Sequence, residues 1–189
     1  MPGRVVILNG APRSGKTSIA RALQDRPGGL WINLGVDAAI AMTPAHLRPG
    51  IGLRPGAQRP DLEPFVLRQY AALFAAIAIH AEAGLDVAAD FGIHDGYSRP
   101  LRIWDILEAT FAGLPVLTVG VLCPADVIAE RRAIRPVAGL AGDDASPLIA
   151  TWQREVHLGH EYGLTLDTAV KSPGECAETI LQLLSTLAR

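Results

Sequence analysis

Val5-Val6-Ile7-Leu8-Asn9 runs into Gly10-Ala11-Pro12-Arg13-Ser14-Gly15-Lys16-Thr17, and that into Ser18-Ile19-Ala20-Arg21-Ala22-Leu23. A β-branched run, a G-x-x-x-x-G-K-[ST] loop and an Ala/Leu-rich run of helical period stand in the order strand, loop, helix. In that context the pattern marks a phosphate-binding P-loop. Gly10 and Gly15 allow a tight turn, so the segment Gly10, Ala11, Pro12, Arg13, Ser14, Gly15, Lys16, Thr17 and Ser18 is the expected nucleotide-binding stretch. Lys16 is expected to reach the β- and γ-phosphates, and the Thr17 hydroxyl to hold Mg²⁺. Of the 17 basic residues only Lys16 and Lys171 are lysines, so a rare residue stands where the motif requires it.

The rest of the chain extends the same pattern. A length of 189 residues fits one domain, large enough for a sheet covered on both faces. Apolar residues make up 49% and aromatics 5%, which suits a core packed from Val, Ile, Leu and Ala. A net charge of −2 gives no support for a nucleic-acid partner, whereas a P-loop needs only backbone groups and one lysine to bind phosphate. Cys123 and Cys176 lack metal spacing and read as reduced thiols. The first apolar run is too short for a signal sequence, and no stretch approaches membrane-spanning length, so a cytoplasmic protein without a membrane partner is expected. Self-association is left open.

Residues 30–34 read as a second strand ending at Gly35-Val36-Asp37. A carboxylate just past a strand lies on the edge where open α/β sheets bind ligands, so Asp37 is a catalytic candidate; it equally suits the N-cap of a short helix over residues 38–42. Residues 44–60 hold four prolines, Pro44, Pro49, Pro55 and Pro60, with Gly50, Gly52 and Gly56, and cannot be regular helix or central strand. With its flanks, about 43–62, this segment is expected to close over an acceptor rather than to be a mobile surface excursion.

A long helix is expected from Asp61 to Gly84, with Leu62, Phe65, Val66, Tyr70, Leu73, Phe74 and Ile77 on one apolar face. Residues 85–90 form a third strand whose final Asp90 is the candidate Walker B carboxylate for Mg²⁺. His94, Asp95, Tyr97 and Arg99 follow, either as substrate contacts or as a solvated loop with a helix cap. A helix over 101–112 and a nearly continuous apolar strand over 116–122 come next, the latter buried on both faces as in parallel sheets. A helix over 124–132 leads to Arg131, Arg132 and Arg135, arginines that can close over ATP or simply be helix-end cations. Residues 146–162 are expected to be helical, with His157 and His160 at i, i+3 spacing but no third metal ligand nearby, so structural or substrate-orienting roles fit them better. A fifth strand at 164–168 and an amphipathic helix at 175–187 complete an α/β P-loop fold: a five-stranded parallel sheet flanked by helices on both faces.

Ile7-Leu8-Asn9-Gly10 with its P-loop and Gly35-Val36-Asp37 resemble the chloramphenicol phosphotransferase family of P-loop kinases. So do Gly120-Val121-x-Cys123, Val137-Ala138-Gly139, Val156-His157-x-Gly159-x-Glu161-Tyr162, Asp167-Thr168-x-x-Lys171 and Glu175-Cys176-Ala177. The resemblance implies an adenylate-kinase-like core, ATP with Mg²⁺ as donor, and transfer of the γ-phosphoryl to a hydroxyl of a small molecule, most simply an antibiotic such as chloramphenicol. It implies that Asp37 accepts the hydroxyl proton. It also brings Arg131 and Arg135 near the family's lid arginines, in a lid over about 131–146 that is shorter than the family's. Residues 44–60 do not follow the family pattern, and Arg48, Arg54 and Arg59 within them keep open a nucleoside, nucleotide or metabolite acceptor. A GTP switch is disfavoured because neither Asn9 nor Asn33 begins an N-K-x-D element, whereas an ATP-gated binding module remains an alternative.

Overall fold

The computed structural model describes residues 1–134 and 145–187. Strands β1 (Val5–Asn9), β2 (Trp31–Asn33), β3 (Asp86–Phe91), β4 (Val116–Leu122) and β5 (Leu164–Asp167) form one sheet in the order β2-β3-β1-β4-β5. Every pairing is parallel, and parallel neighbours need crossovers. Helices α1 (Lys16–Gln24), α2 (Val36–Met42), α3 (Glu63–Glu82), α4 (Ile103–Thr110), α5 (Ala125–Ile134), α6 (Ala145–Glu155) and α7 (Pro173–Leu187) lie in those connections and after β5.

Alternation along β1 explains both layers. Val5 and Ile7 face a core shared with Val66, Tyr70, Phe74 and Ile77 of α3, whereas Val6 and Leu8 face Ile19 and Leu23 of α1 and Ile180 of α7. A central strand buried on both sides must be apolar throughout, which is why its sequence shows no polar alternation. Phe74 and Phe91 meet edge to face at 5.5 Å, joining α3 to β3. Among the described residues α3 is the one helix long and apolar enough to cross a membrane, and here that apolar face is half of the core. A third cluster, with Ala11, Cys123, Ile128, Trp152 and Val156, seats α5 and α6 beside the P-loop.

Several element boundaries differ from the sequence reading. Helix α2 starts at Val36 with Gly35 as its cap, so Asp37 lies in the first turn and makes no capping bond. Gly35 packs on β3: a Cβ there would stand 1.9 Å from Asp90 Oδ1. Helix α3 starts at Glu63 and not at Asp61, because the Asp61 carboxylate pairs with Arg59 (2.7 Å) instead of capping. Helix α6 stops at Glu155. The Val156 carbonyl beyond it accepts bonds from Asn9 Nδ2 (2.8 Å) and the Tyr162 hydroxyl (3.0 Å), and Gly159 turns the chain at φ +73°. His157 and His160 are therefore in a turn and a loop, not on one helix face. Helix α7 starts earlier than expected, since Ser172 and Glu175 form a reciprocal capping box.

The Pro/Gly-rich segment has short 3-10 turns at Ala45–Leu47 and Gly50–Gly52, with Ile51 and Leu53 buried. Gln69 of α3 holds it by donating to Thr43 Oγ1 (2.6 Å) and accepting from Ile51 N (2.9 Å). On the other side, His94 Nε2 lies 2.9 Å from the Leu53 carbonyl, and Gly56 N donates to Gly96 O (2.7 Å). The segment is thus a packed bridge between α2, α3 and the loop after β3.

Candidate active site

The P-loop leaves the C-terminal end of β1 at the middle of the sheet. Gly10 N donates to Phe91 O (3.2 Å) and Ser14 N to Ala11 O (3.1 Å), closing the turn. Arg13 at φ +70° and Gly15 at φ +100° bend the backbone through the left-handed region. That conformation turns successive N–H groups toward one concave side. Gly15 caps α1 without a side-chain bond, so among the described residues no capping side chain competes for the first-turn N–H groups, which suit an anion by virtue of the helix dipole. Ser14 is fully buried and its Oγ has no partner among the described residues.

Lys16 Nζ donates to the carbonyls of Gly10 (2.8 Å) and Ala11 (2.7 Å), which holds the ammonium on its own loop. Burial lowers its pKa to about 8, against the opposing pull of the Asp90 and Asp37 carboxylates. Thr17 Oγ1 donates to Asp90 Oδ2 at 2.6 Å, and Asp90 is 5% exposed. The register Leu8↔Asp90 puts that carboxylate level with the end of β1. Asp37 is exposed at the same edge. It arrives there because Gly35 seats the start of α2 against Asp90.

Arg131 lies on α5 and braces the P-loop from outside. It donates to Arg13 O (3.3 Å), to Thr168 O (2.7 Å) and to Thr168 Oγ1 (3.1 Å), and Thr168 Oγ1 donates in turn to Ser14 O (2.6 Å). Arg135 and residues 135–144 of the expected lid lie outside the described residues. Of the other arginines, Arg48 donates to Thr43 O (2.9 Å) and Arg59 is paired with Asp61. His94 is buried and bound to Leu53 O, and Asp95 accepts from Arg102 N (3.2 Å) at the start of α4. Tyr97 is buried and stacks on His94 at 4.3 Å, while Arg99 is exposed. Burial lowers the His94 pKa, so that ring is a neutral strut for the Pro/Gly-rich segment.

A network outside the G-x-x-x-x-G-K-[ST] loop itself adjoins the P-loop. Buried Asn9 accepts from Ile93 N (2.7 Å) and donates to Val156 O (2.8 Å) and the Tyr162 hydroxyl (3.0 Å), and His157 Nδ1 lies 3.0 Å from that hydroxyl. The sequence signal for Asn9 is an amide ending an otherwise apolar strand. Tyr162 and Thr168 stand in stretches that carry the family resemblance but give no local sign of these bonds, and Gln69 carries no signal, its partners Thr43 and Ile51 being distant in the chain.

The sheet order, the P-loop and the carboxylate at the end of β3 define a P-loop kinase. The family model described as chloramphenicol phosphotransferase-like protein matches residues 3–185, and the chain belongs to that family: it is a phosphotransferase with an alcohol group of a small molecule as acceptor. A Mycobacterium tuberculosis protein named "Putative O-phosphotransferase" is 29% identical over 94% of this chain and 80% of its own length. Among solved structures, an unliganded sugar kinase from Janibacter has a TM-score of 0.65 at 23% identity, covering 97% of this chain and 95% of that one. The Mycobacterium tuberculosis APS kinase in complex with AMPPNP and APS has a TM-score of 0.64 at 18% identity, covering 97% and 98%. At these identities the two structures show a shared fold.

Proposed function

We propose that this chain transfers the γ-phosphoryl group of ATP to a hydroxyl of a hydroxylated antibiotic such as chloramphenicol, inactivating it in the cytoplasm. The observation that carries the reading is the convergence of Lys16, the Thr17–Asp90 pair and Asp37 at one sheet edge. The residues fit a nucleotide: an uncapped helix N-terminus, a left-handed loop and one lysine form the cradle. They also fit Mg²⁺, since the hydroxyl of Thr17 and the carboxylate of Asp90 are hard oxygen donors. Bound Mg²⁺ would neutralise phosphate charge, with Thr17 and Asp90 holding it.

In this reading the P-loop segment from Gly10 to Ser18 binds the phosphates, and Lys16 leaves the Gly10 and Ala11 carbonyls to stabilise charge on the transferring group. Asp37 orients the acceptor hydroxyl and takes its proton as the oxygen bonds to phosphorus and the bond to the ADP oxygen breaks. Arg131 contributes by holding the P-loop through Arg13 O and Thr168, and Arg135 by adding positive charge from the lid. Residues 43–62 close the acceptor side. Their departure from the family pattern supports a second reading, a nucleoside or metabolite kinase on the same machinery.

The test is purified protein with Mg-ATP and a panel of antibiotics, nucleosides and sugars, scored by ADP release and a phosphate-sized mass gain. Lys16→Ala is expected to abolish transfer. Asp37→Asn is expected to bind ATP normally while turnover falls roughly 10²–10⁴-fold. Full turnover in Asp37→Asn removes that residue from the mechanism. A mass gain confined to nucleosides or sugars replaces the antibiotic reading with the second one.

A further inference from the structure

His157 follows α6, and its ring is held from one side. The Tyr162 hydroxyl donates to Val156 O (3.0 Å) and accepts from Asn9 Nδ2 (3.0 Å). Its remaining lone pair can only accept, so the His157 nitrogen 3.0 Å away, Nδ1, carries the ring proton. Nε2 is then a bare lone pair. It is buried and has no hydrogen-bond partner among the described residues. Such atoms are rare in folded proteins and are ordinarily completed by a ligand or a water.

Its surroundings place it close to the P-loop lysine. Asn9, which fixes Tyr162, directly precedes Gly10, whose carbonyl holds Lys16 Nζ. Burial, and then the Lys16 and His160 charges, lower the His157 pKa to about 4, so the ring is neutral at pH 7 and its lone pair is available. Lys16 is already engaged by two carbonyls.

We infer that His157 Nε2 accepts a hydrogen bond from the phosphoryl acceptor molecule, next to the hydroxyl that is phosphorylated. The inference rests on the kinase reading above. A hydroxyl has one proton, and in that reading Asp37 receives it, so His157 requires a second donor on the same molecule. The acceptor class is therefore a polyol or a hydroxy-amide, with an O–H or N–H close to the reacting hydroxyl. His157 is an acceptor-binding residue, and Tyr162 and Asn9 are the residues that position it.

The experiment pairs two variants, using the panel molecule that gains phosphate. His157→Asn keeps an N–H donor for Tyr162 but removes the distal acceptor, whereas His157→Gln returns an acceptor oxygen near the Nε2 position. His157→Asn is expected to raise the acceptor KM on the order of tenfold or more, with the ATP KM and melting temperature at pH 7 unchanged. His157→Gln is expected to recover most of that loss. An unchanged acceptor KM in His157→Asn overturns the inference and leaves the kinase reading standing. So does a parallel loss of acceptor KM, ATP KM and melting temperature in both variants, the signature of a structural ring completed by water. Wild-type protein that hydrolyses Mg-ATP but phosphorylates no panel member overturns both.

Discussion

Lys16 is caught between two environments. Burial favours its neutral form, while Asp90 and Asp37 favour the ammonium, and burial prevails with a pKa of about 8. Phosphates bind the ammonium, so nucleotide affinity should fall as pH rises through that value. Between pH 7 and pH 9 the dissociation constant for Mg-ATP should rise by up to about tenfold, because only the protonated fraction is competent. Calorimetric titration checks this, and the step should vanish in Lys16→Ala. Affinity independent of pH in that range would show that the bound and free lysine share one protonation state.

Among the elements, α3 has two tasks. Its Val66, Tyr70, Phe74 and Ile77 face forms the core, and its Gln69 holds residues 43–52 through Thr43 and Ile51. Gln69→Leu keeps the apolar packing but leaves Ile51 N without its partner, at a cost of about 1–3 kcal/mol. The urea midpoint should drop at constant slope, proteolysis should quicken within residues 43–62, and acceptor KM should rise with ATP KM unchanged. A drop in stability without altered proteolysis would show that His94 and Gly96 suffice to hold the segment.

Across the molecule, three histidines near the C-terminal edge of the sheet, His94, His157 and His160, have pKa values lowered chiefly by burial. An unfolded histidine titrates near 6.5, so as pH falls below that value the unfolded chain binds protons that the folded one refuses. Stability should therefore be full above about pH 6.5 and decline toward about pH 4, where His157 itself titrates. Melting temperatures across pH 4–7 check the sign, and His157→Asn should flatten part of the decline. A flat wild-type profile would mean that the folded rings take up protons over the same pH range as the unfolded ones.

The strands, the P-loop and the apolar face of α3 were legible in the sequence because each is a local pattern: a β-branched run, a spaced Gly-Gly-Lys-Thr set, an i, i+3/i+4 stripe. Position at a strand's C-terminal end also singles out Asp37, just past β2, and Asp90, on β3, since parallel sheets present that edge to ligands. Local patterns could not decide which donor meets which acceptor across long stretches of chain. By position Asp37 suits a cap equally well, and only the seating of Gly35 on Asp90 puts it inside the first turn of α2. The His157 and His160 spacing suggested one helix face, but α6 ends where Asn9 and Tyr162 take the Val156 carbonyl. Residues 44–60 are legible as irregular and as a segment expected to close over an acceptor, but their packing depends on Gln69, His94 and Gly96. Residue type and spacing alone determine the phosphate cradle, because a G-x-x-x-x-G-K-[ST] loop between strand and helix turns backbone N–H groups and one lysine toward the same anion. The acceptor side depends on contacts between residues far apart in sequence, and only the tertiary structure decided those.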